Sequence, residues 1–109
     1  MRSDDIYLEH ILLALKKVKR HVNGLKKGEF KRDEKTVGTV LFQIVIIGEA
    51  ANNLSDQFQE KYCEIPWAKI VGMRNRLVHG YAEIDIDLVW DACQIDLPLL
   101  EKQIKEIVK

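Results

Sequence analysis

Helix breakers are scarce in this chain, and that scarcity limits the fold more than any other feature. Its 109 residues hold only 2 Pro and 6 Gly, so long helices are favoured over turn-rich sheets. Four helical segments follow from the spacing of apolar residues. The first runs from about Asp4 to Val22, with Ile6, Tyr7, His10, Ile11, Leu13, Ala14 and Val18 at helical intervals. Ser3 or Asp4 is placed to cap it, and Asn23-Gly24 to stop it. The second runs from Thr36 to Gln59 on a stripe of Val37, Val40, Leu41, Ile44, Ile47, Ala51 and Leu54. The third opens at Pro66 and reaches His79, where Gly80 ends or bends it. The fourth runs from Ile86 to Val108, capped by Asp85, with Pro98 inside it as an expected kink.

The connector from Leu25 to Lys35 is polar apart from Phe30, which reads as its anchor on a short helical turn. Gly48 lies inside the most apolar segment, where a glycine costs about 1 kcal/mol against alanine. A close crossing by a neighbouring helix accounts for it, as does simple tolerance. No repeat or domain boundary interrupts the chain, so residues 1–109 read as one all-α domain, an up-down antiparallel four-helix bundle. Apolar residues make up 47% and charged residues 31%, a balance that excludes disordered and low-complexity classes. No apolar run approaches a membrane span, and Met1-Arg2-Ser3-Asp4-Asp5 leads into no secretory core. Cys63 and Cys93 form neither a zinc set nor a disulfide framework. A reduced, cytoplasmic protein with no cofactor or metal is expected.

The formal net charge is zero, yet the charges are segregated. Lys16 to Lys35 carries nine basic residues against three acids, while Ala82 to Glu101 carries six acids and no Lys or Arg. Solvated helix faces explain both stretches. So does a basic rim for phosphates set against an acidic face that repels them or meets a partner.

The chemistry is concentrated in Arg74-Asn75-Arg76-Leu77-Val78-His79-Gly80-Tyr81. Asn75 and His79, four apart, share a helix face. Arg74 and His79, five apart, lie about 140° apart around the axis, so they meet only if Arg74 reaches round, the helix loosens, or two subunits bring them together. An imidazole beside a guanidinium suits RNA cleavage without a metal. His79 would take the ribose 2′-hydroxyl proton or protonate the leaving 5′-oxygen. Arg74 would hold the non-bridging phosphate oxygens as charge builds, and the Tyr81 hydroxyl would position the phosphate. By spacing alone, a helix-terminal histidine with surface arginines is the better fit.

Several pieces resemble the HepT-like branch of the HEPN domain family. Met73 to Tyr81 resembles its Arg-x4-His-x-Tyr motif. Met1-Arg2, Asp4-Asp5 and Leu8-Glu9-His10-Ile11 resemble its opening helix, and Ile46-Ile47-Gly48-Glu49-Ala50-Ala51 its central helix. Ile65-Pro66-Trp67-Ala68-Lys69-Ile70 resembles the entry to its motif helix. Val89-Trp90 and Asp96-Leu97-Pro98-Leu99-Leu100 resemble its last helix. The resemblance spans essentially the whole chain. It implies a homodimeric helical bundle with the motif in a cleft between protomers. It also implies a metal-independent endoribonuclease toxin of a type VII-like toxin–antitoxin pair. The partner would be a separate MntA-type nucleotidyltransferase antitoxin that silences the toxin by transferring AMP to the motif tyrosine. By position, Arg74 and His79 become the catalytic pair, Tyr81 the substrate-positioning or AMP-modified residue, and Asn75 a residue that orients His79.

Arg76 and Glu49 are supporting candidates. Glu49 reads as a hydrogen-bonded structural carboxylate or as a partner for Arg74 or Arg76. His10 and His21 read as ordinary helix histidines, since no second ligand stands at metal spacing. Trp67 and Trp90 are core or interface anchors before they are base-stacking platforms. The acidic fourth helix keeps a second function open, a non-catalytic binding subunit that presents substrate or nucleotide to a partner nucleotidyltransferase.

Overall fold

The computed structural model describes residues 2–109; Met1, part of the opening-helix resemblance, lies outside them. Among the described residues the structure is helical, with no strand. Helix α1 spans Arg2–Val22, α2 Lys27–Arg32, α3 Glu34–Asn53, α4 Asp56–Lys61 and α5 Trp67–His79. A 3-10 turn at Tyr81–Glu83 leads to α6, Ile86–Asp91, and a π-turn at Ala92–Asp96 joins α6 to α7, Leu97–Val108.

The core cluster is built chiefly where α1 and α5 flank α3, and the α6–α7 rod closes it. Its fully buried side chains include Ile11, Phe30, Val40, Ile44, Ile47, Ile65 and Ile104. The polar connector carries Phe30 on α2 as expected. Its ring is wholly buried against Trp90 of α6, centroids 5.2 Å apart. Gly24 takes the left-handed conformation (φ 80°) that stops α1.

Four local expectations are corrected. The inward stripe of α1 is rotated from the one read off the sequence. Leu8, Ile11, Ala14, Leu15 and Val18 are buried, whereas Ile6 and Leu13 face outward. Asp4 does not cap α1; it is buried, and its carboxylate accepts from Ser55 N and Ser55 Oγ, both at 2.8 Å. That contact belongs to a break in the second segment. Leu54 turns to extended backbone (ψ 142°), and Ser55 Oγ accepts from Phe58 N to cap a separate helix, α4. Finally, Pro98 does not sit within an unbroken helix. The π-turn widens the backbone just before it, so Pro98 falls in the first turn of α7, where its missing N–H is not needed.

Helix α4 packs at the C-terminal end of α3, with the Gln59 side chain donating to the carbonyls of Ala51 and Leu54. Trp67 at the start of α5 packs on Phe58 of α4. Helix α5 therefore runs back along α3.

Candidate active site

Helix α5 is fixed at both ends. Trp67 is buried, and its indole N–H donates to the Tyr62 carbonyl at 3.1 Å. At the other end the Gly80 N–H donates to the Arg76 carbonyl, which terminates the helix after His79. Pro66 stands at the N-cap, one residue ahead of the helix it was expected to open.

Between these ends α5 crosses α3 at Gly48. A Cβ built there would run into the Cβ of Arg74, come within 2.8 Å of its Cγ, and lie 3.3 Å from the Ile70 carbonyl. The close crossing expected from Gly48 is present, and it is the stem of Arg74 that uses the space. That seat carries the guanidinium to Glu49, Nη2 to Oε2 at 3.1 Å. Arg74 Nη1 also donates to Asn75 Oδ1 at 2.8 Å, while its buried Nε–H has no partner. Glu49 is thus the partner of Arg74. With the Glu49 side chain 54% exposed, the pair contributes little net stability; its effect is to orient the guanidinium.

The remaining candidates lie on the outer side of α5. Arg76 and His79 are exposed. Asn75 is exposed too, and its carbonyl oxygen faces Arg74 rather than His79. Tyr81 opens the 3-10 turn with 75% of its surface free. Arg74 and Glu49 are brought together; Arg74 and His79 of one chain point to different sides of the helix. Next to this cluster, α3 presents Phe42, 62% exposed, on the face that carries Glu49 one heptad later. Val78 of α5 and Leu88, Ile95 and Leu99 of the α6–α7 rod are exposed as well.

The other sequence candidates take structural places. His21 Nδ1 bonds to the Lys17 carbonyl at 2.7 Å, and His10 lies edge-on to Tyr7. Burial pushes the Cys93 thiol up to about 12, while Cys63 is exposed. Among the described residues, no three His, Cys, Asp or Glu side chains come together as a metal site, and no helix is long and apolar enough to cross a membrane. The segregated charges partly meet. Asp87 of the acidic stretch pairs with Lys31 at 2.9 Å and Lys27 at 3.4 Å, clasping α2 to α6. The side chain of Lys31, then that of Lys27, holds its carboxyl below the usual carboxylate range. Charge counting along the sequence could not pair these groups, because their contact depends on how α2 folds over α6.

Residues 11–107 match the family described as Ribonuclease HepT-like. A protein of Caldanaerobacter subterraneus subsp. tengcongensis named "Putative RNase" is 36% identical over 109 residues, covering 100% of this chain and 97% of its own. The "Probable ribonuclease HepT" of Thermococcus cleftensis is 32% identical, covering 99% of this chain and 98% of its own. The whole chain also aligns, at 34% identity, with 50% of a Methanocaldococcus jannaschii protein named "Gamma-glutamylcyclotransferase and putative RNase". No solved structure matches.

Proposed function

The chain belongs to the Ribonuclease HepT-like family, and we propose that it is a metal-independent endoribonuclease toxin that acts as a homodimer in the cytoplasm. One observation carries this reading: Arg74, His79 and Tyr81 lie along the C-terminal half of α5 and the turn after it, with His79 and Tyr81 open to solvent and Arg74 held by Glu49. In the reaction, His79 removes the proton of a ribose 2′-hydroxyl. The 2′-oxygen attacks the adjacent phosphorus, the bond from phosphorus to the 5′-oxygen breaks, and the leaving oxygen takes a proton from a second imidazole. The products are a 2′,3′-cyclic phosphate and a 5′-hydroxyl. Arg74 holds the non-bridging oxygens, where charge increases in the transition state.

A homodimer supplies the second imidazole. It also offers a way past the 140° between Arg74 and His79, since a guanidinium from one protomer can serve the histidine of the other. The exposed Phe42 and Val78 beside the Glu49–Arg74 pair support an interface there. In this reading the up-down four-helix arrangement is doubled across that face, and residues 1–109 act as one domain, consistent with their alignment to half of a longer relative.

A MntA-type nucleotidyltransferase silences the toxin by joining AMP to the Tyr81 oxygen, with pyrophosphate leaving the nucleoside triphosphate. The exposure of Tyr81 supports that role. An added phosphate there places negative charge where the RNA backbone would lie.

The test is cleavage of a defined RNA in chelator, after intact mass shows that Tyr81 is bare. The expected result is cleavage with cyclic-phosphate ends, lowered about 10²- to 10⁴-fold in His79→Ala. Equal cleavage by the variant would overturn the role of His79. No cleavage by either protein would leave a binding subunit for the nucleotidyltransferase as the better reading.

A further inference from the structure

Arg76 is the unspent cation of α5. Lys69 is held by Asp96 at 3.2 Å, and Arg74 by Glu49 and Asn75. Among the described residues the Arg76 side chain makes no ion pair or hydrogen bond, and it is exposed. Three residues before His79, it lies one turn away and about 60° around the axis, whereas Arg74 lies about 140° away. Within one protomer, the guanidinium that shares a side with His79 is therefore that of Arg76.

The two arginines also differ in what a phosphate must displace. Reaching an RNA oxygen costs Arg74 its bonds to Glu49 Oε2 and Asn75 Oδ1, both charge-assisted. Arg76 gives up only water, and a guanidinium is weakly hydrated while presenting a planar fork that matches two phosphate oxygens. We propose that Arg76 grips the RNA phosphate next to the one being cut, from the same protomer as His79, and so sets the register of the strand over the imidazole. The inference rests on the RNA-cleaving reading and extends it to one of the unspecified x positions inside the Arg-x4-His-x-Tyr motif. Arg76 binds ground state and transition state alike, so its loss appears in KM, whereas loss of Arg74 appears in kcat.

The experiment measures two things on unmodified protein: binding of a short single-stranded RNA whose 2′-hydroxyls are methylated, so that it cannot be cut, and cleavage kinetics on the ordinary RNA. Arg76→Ala is expected to weaken binding and raise KM about tenfold with kcat little changed. The slope of log affinity against log salt should fall by about 0.7, the loss of one phosphate contact to a single strand. Arg76→Lys should recover the slope but only part of the affinity. Lys102→Ala, which removes an exposed charge from α7 outside the basic stretch, should leave both unchanged. Unchanged binding and KM in Arg76→Ala would overturn the proposal, and so would an equal loss in Lys102→Ala. Normal cleavage by the parent alongside such a result would leave the nuclease reading intact. A parent that neither binds nor cuts RNA would overturn that reading and this one with it.

Discussion

Gly48 and Gly38 sit in the same helix and should respond in opposite ways to alanine. A Cβ at Gly48 meets the stem of Arg74, but one at Gly38 meets nothing within 4 Å. Gly48→Ala should therefore cost about 1–3 kcal/mol as an overpacked contact and reduce RNA cleavage by shifting Arg74. Gly38→Ala should gain up to about 1 kcal/mol from helix propensity. Urea denaturation of both variants checks the signs. The sequence made a close crossing at Gly48 legible, because glycine in an apolar helix interior needs a reason. It did not say that Arg74 occupies the space, since that depends on the register of two helices distant along the chain. The cysteines give a second contrast. Cys93 is buried with its thiol at about 12, so at neutral pH it stays protonated. A thiol reagent should titrate Cys63 in the native protein and both cysteines only after denaturation; rapid reaction of two thiols in the native state would contradict the packing.

At the level of elements, the chain is tied across 51 residues by the Asp4 carboxylate on Ser55. Asp4→Ala leaves the Ser55 N–H without its partner and should lower stability by about 1.5–3 kcal/mol, the usual worth of hydrogen bonds to a charged group; a shift in thermal midpoint measures it. The sequence points to Ser3 or Asp4 as a helix cap instead, because Ser or Asp near a helix start is a common capping signal. The break at Leu54 was hidden for a related reason: Leu54 continues the apolar stripe of α3, and its burial is right even though the helix ends there. The placement of α2 was legible from Phe30 alone, since one aromatic in a polar connector has little else to do. Two carboxylates act beside α2: Asp33 caps α3 by accepting from Thr36, and Asp87 pairs with Lys31 and Lys27 to hold α2 on α6. Hydrogen bonds from Thr36 lower Asp33, and ion pairing chiefly with Lys31 lowers Asp87. Folded values below the unfolded ones mean that both contacts stabilise above the ordinary carboxylate value of 3.8 and are lost as pH falls through the folded values. The Trp90 indole, packed at a tilt on Phe30, should shift its NMR resonance in that acid range. Asp87→Asn should remove part of the change.

For the whole molecule, the all-α class followed from the shortage of breakers, and the order of the long helices from their apolar periods. How two copies meet does not follow from those periods, because a residue that faces a partner looks like one that faces a core. Phe42 is such a residue: apolar, within the most apolar helix, and 62% exposed. If the dimer closes on this face, Phe42→Asp should give a monomer by sedimentation, keep the helical circular dichroism signal, and lose RNA cleavage. A dimer that survives the change would move the interface elsewhere.

The π-turn before Pro98 has a consequence for descent. A π-turn holds one residue more than the α-helix it interrupts. Deleting one residue from 92–96 would heal the rod, but it would also draw Pro98 into an unbroken helix at a cost of about 3 kcal/mol. The extra residue and the proline are thus expected to be inherited together. Across an alignment of the family, chains one residue shorter here should lack the proline, and a lineage that lost one should soon have lost the other.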